Sequence, residues 1–462
     1  MAVSLPFQIV KQTLRLLASG KRENFIEACK NPEKFQAELK DRILRNSNIP
    51  FPENPTDYQN YDGKENLTLE KVKFYETTSG STGFKKRIPY TRSLLKSFEN
   101  MFLLWAHDLI FHSGIDLSHG KFFMSVSPQI GENSTDDRKY LSPSLNLLLS
   151  SFLVSNPNDH KGKTSDEFFF KVCRDLLKNR DLEVFSVWSP TYLLSLLNFM
   201  KAHKEELKLE STNWEEIWPK LKLISCWTHA QALNSALNLQ NEFPNTKLQP
   251  KGLLLTEAPV SIPWSEANGN IPLVTETFLE FLDGDKILGL HEIQEGKTYL
   301  VLTSQFNGFL RYNTQDEIKV TGFYYKTPIL EFLGRAGCYT DLAGEKISES
   351  MLINIFSSKS NAFLFVPDES QIIPGYRVYT ESTNVMWESE LNTIYHYNLG
   401  RKLHQLREVQ VVPVKNLTDL YLRFYQAEGM NLGDIKEKVL IHNLTQAKRF
   451  LAWIDKEVQS SH

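Results

Sequence analysis

The sequence predicts an α/β chain. A large N-terminal domain, residues 1–335, has mixed or parallel sheets flanked by helices, and a small α+β C-terminal domain follows over residues 336–462. Two observations carry this. Strand-length apolar stretches alternate with helical periodicities from Phe122 to Thr303, the pattern of strand–helix crossovers and parallel sheets. Beyond Gly334-Arg335 the elements shorten, over a length normal for one small domain. At 462 residues the chain is also too long for a single core of ordinary size.

A hydrophobic fraction of 41% and an aromatic fraction of 12% supply a packed interior. The net charge of -3, with its cations scattered, lacks the basic footprint of a nucleic-acid binder. Cys29, Cys173, Cys226 and Cys338 are widely spaced and form no metal pattern, so they read as reduced thiols. Lys11 and Arg15 interrupt the N-terminal apolar residues, and no stretch has the length of a membrane span. The expectation is a cytoplasmic protein with neither nucleic acid nor membrane as partner.

Taken in order, Leu5 to Ile49 reads as two amphipathic helices punctuated by Asn31-Pro32. Ser93 to His112 has helical spacing, and its Met101, Phe102 and Trp105 either line an acyl pocket or belong to the core. Phe122 to Val126 reads as a buried strand, and Pro128 to Pro143 as a polar excursion suited to a flap. Helices are expected over Asp166 to Leu177, Pro190 to Leu207 and about His229 to Glu242. Strands are expected over Leu221 to Cys226, ending at Trp227, then Lys251 to Leu255 and Thr298 to Thr303. In parallel sheets ligands sit beyond the carboxyl ends of the strands.

Three motifs carry chemistry. Thr77 to Thr91 contains Thr78-Ser79-Gly80-Ser81-Thr82-Gly83 followed by the cations Lys85, Lys86 and Arg87. Gly80 and Gly83 let successive N–H groups point one way, the hydroxyls donate to phosphate oxygens, and a lysine supplies compact charge. Gly83 is followed by Phe84, so this is not the Gly-Lys-Ser/Thr loop of P-loop nucleotidases. The second motif is Leu253-Leu254-Leu255-Thr256-Glu257. Its hydroxyl and carboxylate at a strand end can hold an α-phosphate oxygen and a magnesium ion, or else cap a helix beside a surface acid. The third runs from Phe309 through Arg311, Tyr312 and Asp316 to Phe323, then to Gly334-Arg335. Asp316, at the mouth of a strand over Glu317 to Thr321, can accept from both ribose hydroxyls. Arg335 offers a planar fork to ribose or phosphate.

In this order the motifs resemble those of the adenylate-forming superfamily: acyl-CoA synthetases, luciferases and peptide synthetase adenylation domains. The finer resemblance is to the acyl acid amido synthetases, the auxin-responsive conjugating enzymes, and particularly to their bacterial relatives. It rests also on Ile224 to Trp227, Val260-Ser261-Ile262-Pro263, Gly344 to Glu349, Val411 to Asn416 and Gly429-Met430-Asn431, and covers about Asp57 to Ile441. Asn313 and Gln315 depart from the family pattern, which has glycine before the aspartate, so Gln315 is expected to stiffen or reshape that turn. A C-terminal lysine of the family aligns best with Lys436, whose usual Pro and Arg neighbours are absent; the bland reading is a solvated helix end.

The resemblance implies ATP and Mg2+ as cofactors. It places Thr78, Ser79, Gly80, Ser81, Thr82, Gly83, Thr256, Tyr312, Asp316 and Arg335 on the nucleotide, with Lys86, Glu257 and Lys436 catalytic and Glu257 on the metal. Phe102, Trp105 and Trp227 would line the carboxylic acid, and the small domain would move over the large one between two half-reactions. The acceptor implied is an amine or amino acid. Alternatives are coenzyme A or a carrier protein in a thioester ligase, and a nucleotide-binding protein without turnover.

Overall fold

The computed structural model describes residues 4–58, 61–77, 86–124, 152–155, 165–229, 232–336, 339–343, 345–371, 373–382, 384–402, 405–430 and 435–460. The expected phosphate loop from Thr78 to Lys85, the excursion Pro128 to Pro143 and Cys338 lie outside them. The chain divides into two compact units, one of 1–188, 193–227 and 239–332, the other of 189–192, 228–238 and 333–462. Among the described residues, no helix is long and apolar enough to cross a membrane.

The first unit opens with the helices Leu5–Lys30 and Pro32–Arg45, which meet at Asn31. Pro32 has no N–H to offer an intrahelical bond and its fixed φ suits a first turn, so one helix ends and the next begins there. The helix Arg92–Phe111 is started by Thr91, whose hydroxyl oxygen accepts from the Leu94 N–H at 3.2 Å. Its buried stripe includes Leu94, Phe98 and Met101, which join the main core with Phe25, Trp264 and Phe281.

Two larger sheets and the two-stranded pair of Phe74–Thr77 with Arg87–Tyr90 lie in this unit. Phe122–Met124, Val184–Ser186, Leu223–Cys226 and Lys247–Pro250 form a four-stranded parallel sheet in that order. The larger sheet has seven strands, and its recorded pairings are antiparallel, so the expectation of largely parallel sheets holds only for the smaller one. The cause is local. Phe278–Asp283 turns into Lys286–Gly289 through Gly284-Asp285, with Gly284 at φ +59°. A two-residue loop of that kind returns the chain antiparallel, with no room for a crossover helix.

Three elements differ most from expectation. The helix expected over Pro190 to Leu207 ends at Ala202. The helix ending at Glu242 begins at Leu233. The strand expected over Lys251 to Leu255 is instead irregular backbone after Lys247–Pro250 that folds back on itself. There Leu255 and Ala258 exchange both backbone bonds, at 3.0 and 3.3 Å, and Leu254 bridges Pro259. Gly252 makes the return possible, because a Cβ on it would lie 1.9 Å from the Ser261 carbonyl oxygen. Half-buried Leu253, Leu254 and Leu255 pack on the main core, so their run reflects packing, not a ladder.

In the second unit, Phe363–Asp368 pairs antiparallel with Gly375–Thr380, which pairs parallel with Gln410–Pro413. The helices Leu417–Ala427 and Leu444–Ser460 share a core with this sheet through Val366, Tyr379, Phe424 and Phe450. Residues 435–441 lie beside the first strand: the Phe365 N–H donates to the Val439 carbonyl and the Ile441 N–H to the Phe365 carbonyl.

Candidate active site

Lys86 emerges immediately before the strand Arg87–Tyr90, which pairs with Phe74–Thr77. Its side chain is turned inward, and only 6% of the residue is exposed. The ammonium donates to the Glu257 carboxylate, which is equally buried, and to the Tyr312 hydroxyl at 2.7 Å. It also sits 4.4 Å from the centre of the Tyr312 ring, within cation–π range. Residues from all three sequence motifs therefore meet at one buried ion pair.

Each partner is held by its own segment. Four residues beyond Lys86, the Tyr90 hydroxyl donates to the Thr256 carbonyl at 2.6 Å, so the short strand and the residue before it grip the Thr256-Glu257 turn twice. The Glu257 carbonyl accepts from the Asn307 carboxamide at 3.1 Å. Tyr312 is flanked by Arg311, whose guanidinium forms a two-bond fork with Glu280 at 2.6 and 2.9 Å and also donates to the Pro52 carbonyl. On the other side, Thr56 exchanges backbone bonds with Arg311 and Asn313. Tyr58 stacks flat on Phe309, with centroids 4.3 Å apart. The polar segment before the phosphate loop thus serves as the outer wall of the Tyr312 strand.

Asp316 is 4% exposed and lies within the strand Tyr312–Tyr324, not at the mouth of a strand beginning at Glu317. The register between Thr298–Ser304 and this strand shifts between Leu300 and Leu302, so Thr314 to Asp316 form a bulge. Gln315 occupies the left-handed region at φ +61°. Where the sequence expectation is a stiffened or reshaped turn, glutamine here adopts the left-handed conformation that glycine favours. Its N–H donates to the Asn313 side-chain oxygen at 2.9 Å, and the Asp316 N–H donates to the Thr314 hydroxyl at 3.0 Å. These bonds hold the bulge without glycine.

Trp105 and Trp227 both lie at the carboxyl end of the parallel sheet, linked through Lys251, which stands 5.5 Å from the Trp105 ring, and Trp188. The Trp105 indole N–H donates to Gln249 at 3.0 Å, and Trp227 lies 6.0 Å from Trp188. The Lys251 ammonium stands 4.6 Å from the Trp188 ring and donates to the Ser186 hydroxyl at 2.9 Å. Phe102 instead packs against the cluster of Leu14, Ala18 and Leu103. In the second unit, Arg335 ends the strand Thr327–Arg335 with an exposed side chain, and Lys436 is also exposed, its carbonyl accepting from the Tyr421 hydroxyl at 2.9 Å. Thr78, Ser79, Gly80, Ser81, Thr82 and Gly83 lie outside the described residues.

Among the described residues there is no group of three or more His, Cys, Asp or Glu placed to hold a metal. A site with one buried carboxylate already facing a cation suits an ion that takes its remaining ligands from nucleotide phosphates and water, as magnesium does. The thiols of Cys29 and Cys173 are pushed up to about 12 by burial and are not poised as nucleophiles.

Sequence reasoning missed Tyr90, Asn307 and the Arg311–Glu280 fork. Asn307-Gly308 carries a turn signal, but nothing in it names the carbonyl that the carboxamide reaches.

Residues 59–210 match the GH3 family N-terminal domain, and residues 270–335 match the GH3 family central domain. A probable indole-3-acetic acid-amido synthetase of Oryza sativa subsp. japonica, GH3.11, is 27% identical over 167 residues, 35% of this chain and 27% of the relative. The indole-3-acetic acid-amido synthetase GH3.17 of Arabidopsis thaliana is 29% identical over 104 residues, 22% of this chain and 17% of the relative. The matched stretches thus span about a quarter or less of these curated relatives. The fold is that of the GH3.15 acyl acid amido synthetase, with a TM-score of 0.74 at 19% identity, covering 96% of both chains. The same enzyme in complex with 2,4-DB gives 0.70 at 16% identity, over 98% of this chain and 97% of that one.

Proposed function

We propose that this chain, which carries the N-terminal and central domains of the GH3 family, adenylates a carboxylic acid with ATP and then transfers the acyl group to an amine, in the first instance an amino acid. The observation that carries the reading is the meeting of Lys86, Glu257 and Tyr312 at one buried point, because these residues come from three motifs that the chemistry needs together. The amido synthetase names of the relatives agree with it.

A carboxylate at neutral pH is a poor electrophile. In the first half-reaction one of its oxygens attacks the α-phosphorus of ATP and pyrophosphate leaves. In the second, an amine attacks the acyl carbon, AMP leaves, and the amine nitrogen gives up a proton. Both steps build negative charge on phosphate oxygens, so fixed positive charge and aimed donors do most of the catalytic work. Lys86 supplies that charge to the departing pyrophosphate, together with Ser79, Ser81 and Thr82 of the loop. Thr256 and Glu257 stand at the α-phosphate, Glu257 as the protein's ligand to magnesium. Asp316 and Arg335 hold the ribose, beside Tyr312. Magnesium, when bound, would draw electron density from the phosphate oxygens.

Trp105, Trp227 and half-buried Phe102 are assigned to the acid pocket. Lys436 is assigned as the catalytic lysine of the small domain, residues 336–462, which would move over the large one, residues 1–335, between the two half-reactions. The test is pyrophosphate release from magnesium ATP across a panel of carboxylic acids, with and without amino acids and, separately, coenzyme A. Release that rises with amino acids, accompanied by a matching amide mass, supports the reading. Stimulation by coenzyme A or a carrier protein alone replaces it with thioester formation, and silence across the panel leaves nucleotide binding without turnover.

A further inference from the structure

Behind the Thr256-Glu257 turn lies a polar layer with no part in the chemistry just described. Gln305 and Asn307 flank Phe306, are 1% and 0% exposed, and both send their carboxamides toward the turn. Asn307 reaches it directly: its NH2 donates to the Glu257 carbonyl at 3.1 Å while its oxygen accepts from the Phe309 N–H at 3.0 Å. Gln305 reaches it through Thr277. Its NH2 donates to the Thr277 hydroxyl at 3.2 Å and to the Glu276 carbonyl at 2.9 Å, and the Thr277 hydroxyl donates to the Pro259 carbonyl at 2.5 Å. The Gln305 oxygen is taken by the Phe306 N–H at 2.9 Å.

The two side chains therefore fasten the turn at Glu257 and Pro259 to one segment, and that segment runs through Phe309 into Tyr312. Glu257 and Tyr312 are the two groups that share the Lys86 ammonium. The spacing between them is fixed by whatever joins their backbones, and Asn307 is a direct join. Buried carboxamides bonded at both ends hold a geometry because any slippage leaves a desolvated polar group unpaired, which is strongly unfavourable.

We propose that Asn307, supported by Gln305 and Thr277, is a positioning residue that sets where the Glu257 carboxylate stands relative to Tyr312, and so where the Lys86 ammonium rests. Asn307 touches no reacting atom. It acts through Glu257, and the assignment of a catalytic role to that carboxylate rests on the adenylation reading above.

The experiment compares the wild type with Asn307→Ala and with Thr277→Val, a near-isosteric change that removes only the hydroxyl. Two quantities are read. The first is the reactivity of Lys86 toward a brief pulse of acetic anhydride, measured by peptide mass spectrometry against the exposed Lys71 and Lys73, without ATP. In the wild type Lys86 is protected; in both variants its labelling is expected to rise severalfold while that of the reference lysines is unchanged. The second is pyrophosphate release, in which kcat is expected to fall at least about tenfold, as for other residues that orient a ligand from behind, while KM for the carboxylic acid holds. Unchanged Lys86 labelling in both variants would overturn the proposal, as would losses of kcat and rises of KM in proportion to lowered melting temperature. If the wild type releases no pyrophosphate with any acid, the adenylation reading fails by itself, and the labelling contrast still decides whether Asn307 positions the pair.

Discussion

Lys86 and Glu257, separated by 171 residues, form an ion pair from which water is nearly excluded. Burying either charge alone is strongly unfavourable, so each side chain is what allows the other to be there. The pairing also gives the carboxylate a cation before any ligand arrives. On the proposed adenylation reading, Lys86 would face phosphate and Glu257 would face the metal in the ligated site, so that neither charge would be left bare.

Lys86→Met tests this. The variant leaves Glu257 buried without its cation and is expected to lose about 3–5 kcal/mol of stability, with pyrophosphate release reduced at least about a hundredfold. Adding Glu257→Gln removes the stranded charge and should recover most of the stability without the activity. Urea denaturation and pyrophosphate release separate the two effects. A double variant no more stable than Lys86→Met would mean that the pair is not what holds Glu257 in place.

Asp316→Asn keeps the shape of the side chain and removes its charge. The bond from the Asp316 N–H to the Thr314 hydroxyl fastens the bulge through a backbone donor that the substitution leaves in place, so the fold should tolerate the change. A carboxylate that accepts from two ribose hydroxyls does what an amide with one acceptor oxygen cannot. The KM for ATP is therefore expected to rise at least about tenfold, the loss of one charge-assisted bond, with the acid KM unchanged. Equal ATP dependence in variant and wild type would remove Asp316 from the nucleotide site.

What was legible in the sequence follows from how local each signal is. The Asn31-Pro32 break and the parallel strands Phe122–Met124 and Leu223–Cys226 are written in a few adjacent residues and are legible with only small errors of boundary, whereas Val184–Ser186 and Lys247–Pro250 are too short and too mixed in character to stand out. Lys86 and Glu257 were legible as motif members, although the bond between them was not, since neither motif says what the other touches. The run Leu253-Leu254-Leu255 misled because three leucines satisfy a strand pattern as well as they satisfy packing on a core. Only the steric demand at Gly252 decides between the two. Asn307 was invisible because an asparagine before a glycine is explained well enough as a turn residue.

Stability of the second unit should depend on pH through Glu349. Its side chain is buried, it accepts from the Val439 N–H at 2.8 Å, and desolvation lifts its pKa from 4.5 to about 7. Unfolded, the group releases its proton near 4.5; folded, it keeps the proton until about 7. Between those values the folded state binds more protons, so this group's contribution falls as pH rises from 4.5 to 7, by on the order of 3 kcal/mol, and is flat above. Glu349→Gln cannot ionise and should flatten that part of the profile, raising stability at pH 8 more than at pH 4. Thermal melts of both proteins across this range are the measurement, and parallel profiles would show that the carboxyl ionises without cost to the fold.

Gln315 offers a prediction of the opposite kind, a substitution that should help. A non-glycine residue at φ +61° places its Cβ close to its own carbonyl oxygen, at about 1–2 kcal/mol. Glycine removes that strain but brings about 0.5–1 kcal/mol of extra unfolded-state entropy. Gln315→Gly should therefore raise stability by roughly 0.5 kcal/mol, the difference between the two. Gln315→Val, branched at Cβ, should lower it by more than that. Because Asn313 and Thr314 fasten the bulge through backbone N–H groups, Asp316 keeps its aim in the glycine variant and ATP dependence should not move. Urea midpoints order the three proteins. If glycine proves the least stable, the glutamine side chain contributes contacts that outweigh its backbone strain, and the departure from glycine here is a stabilising one.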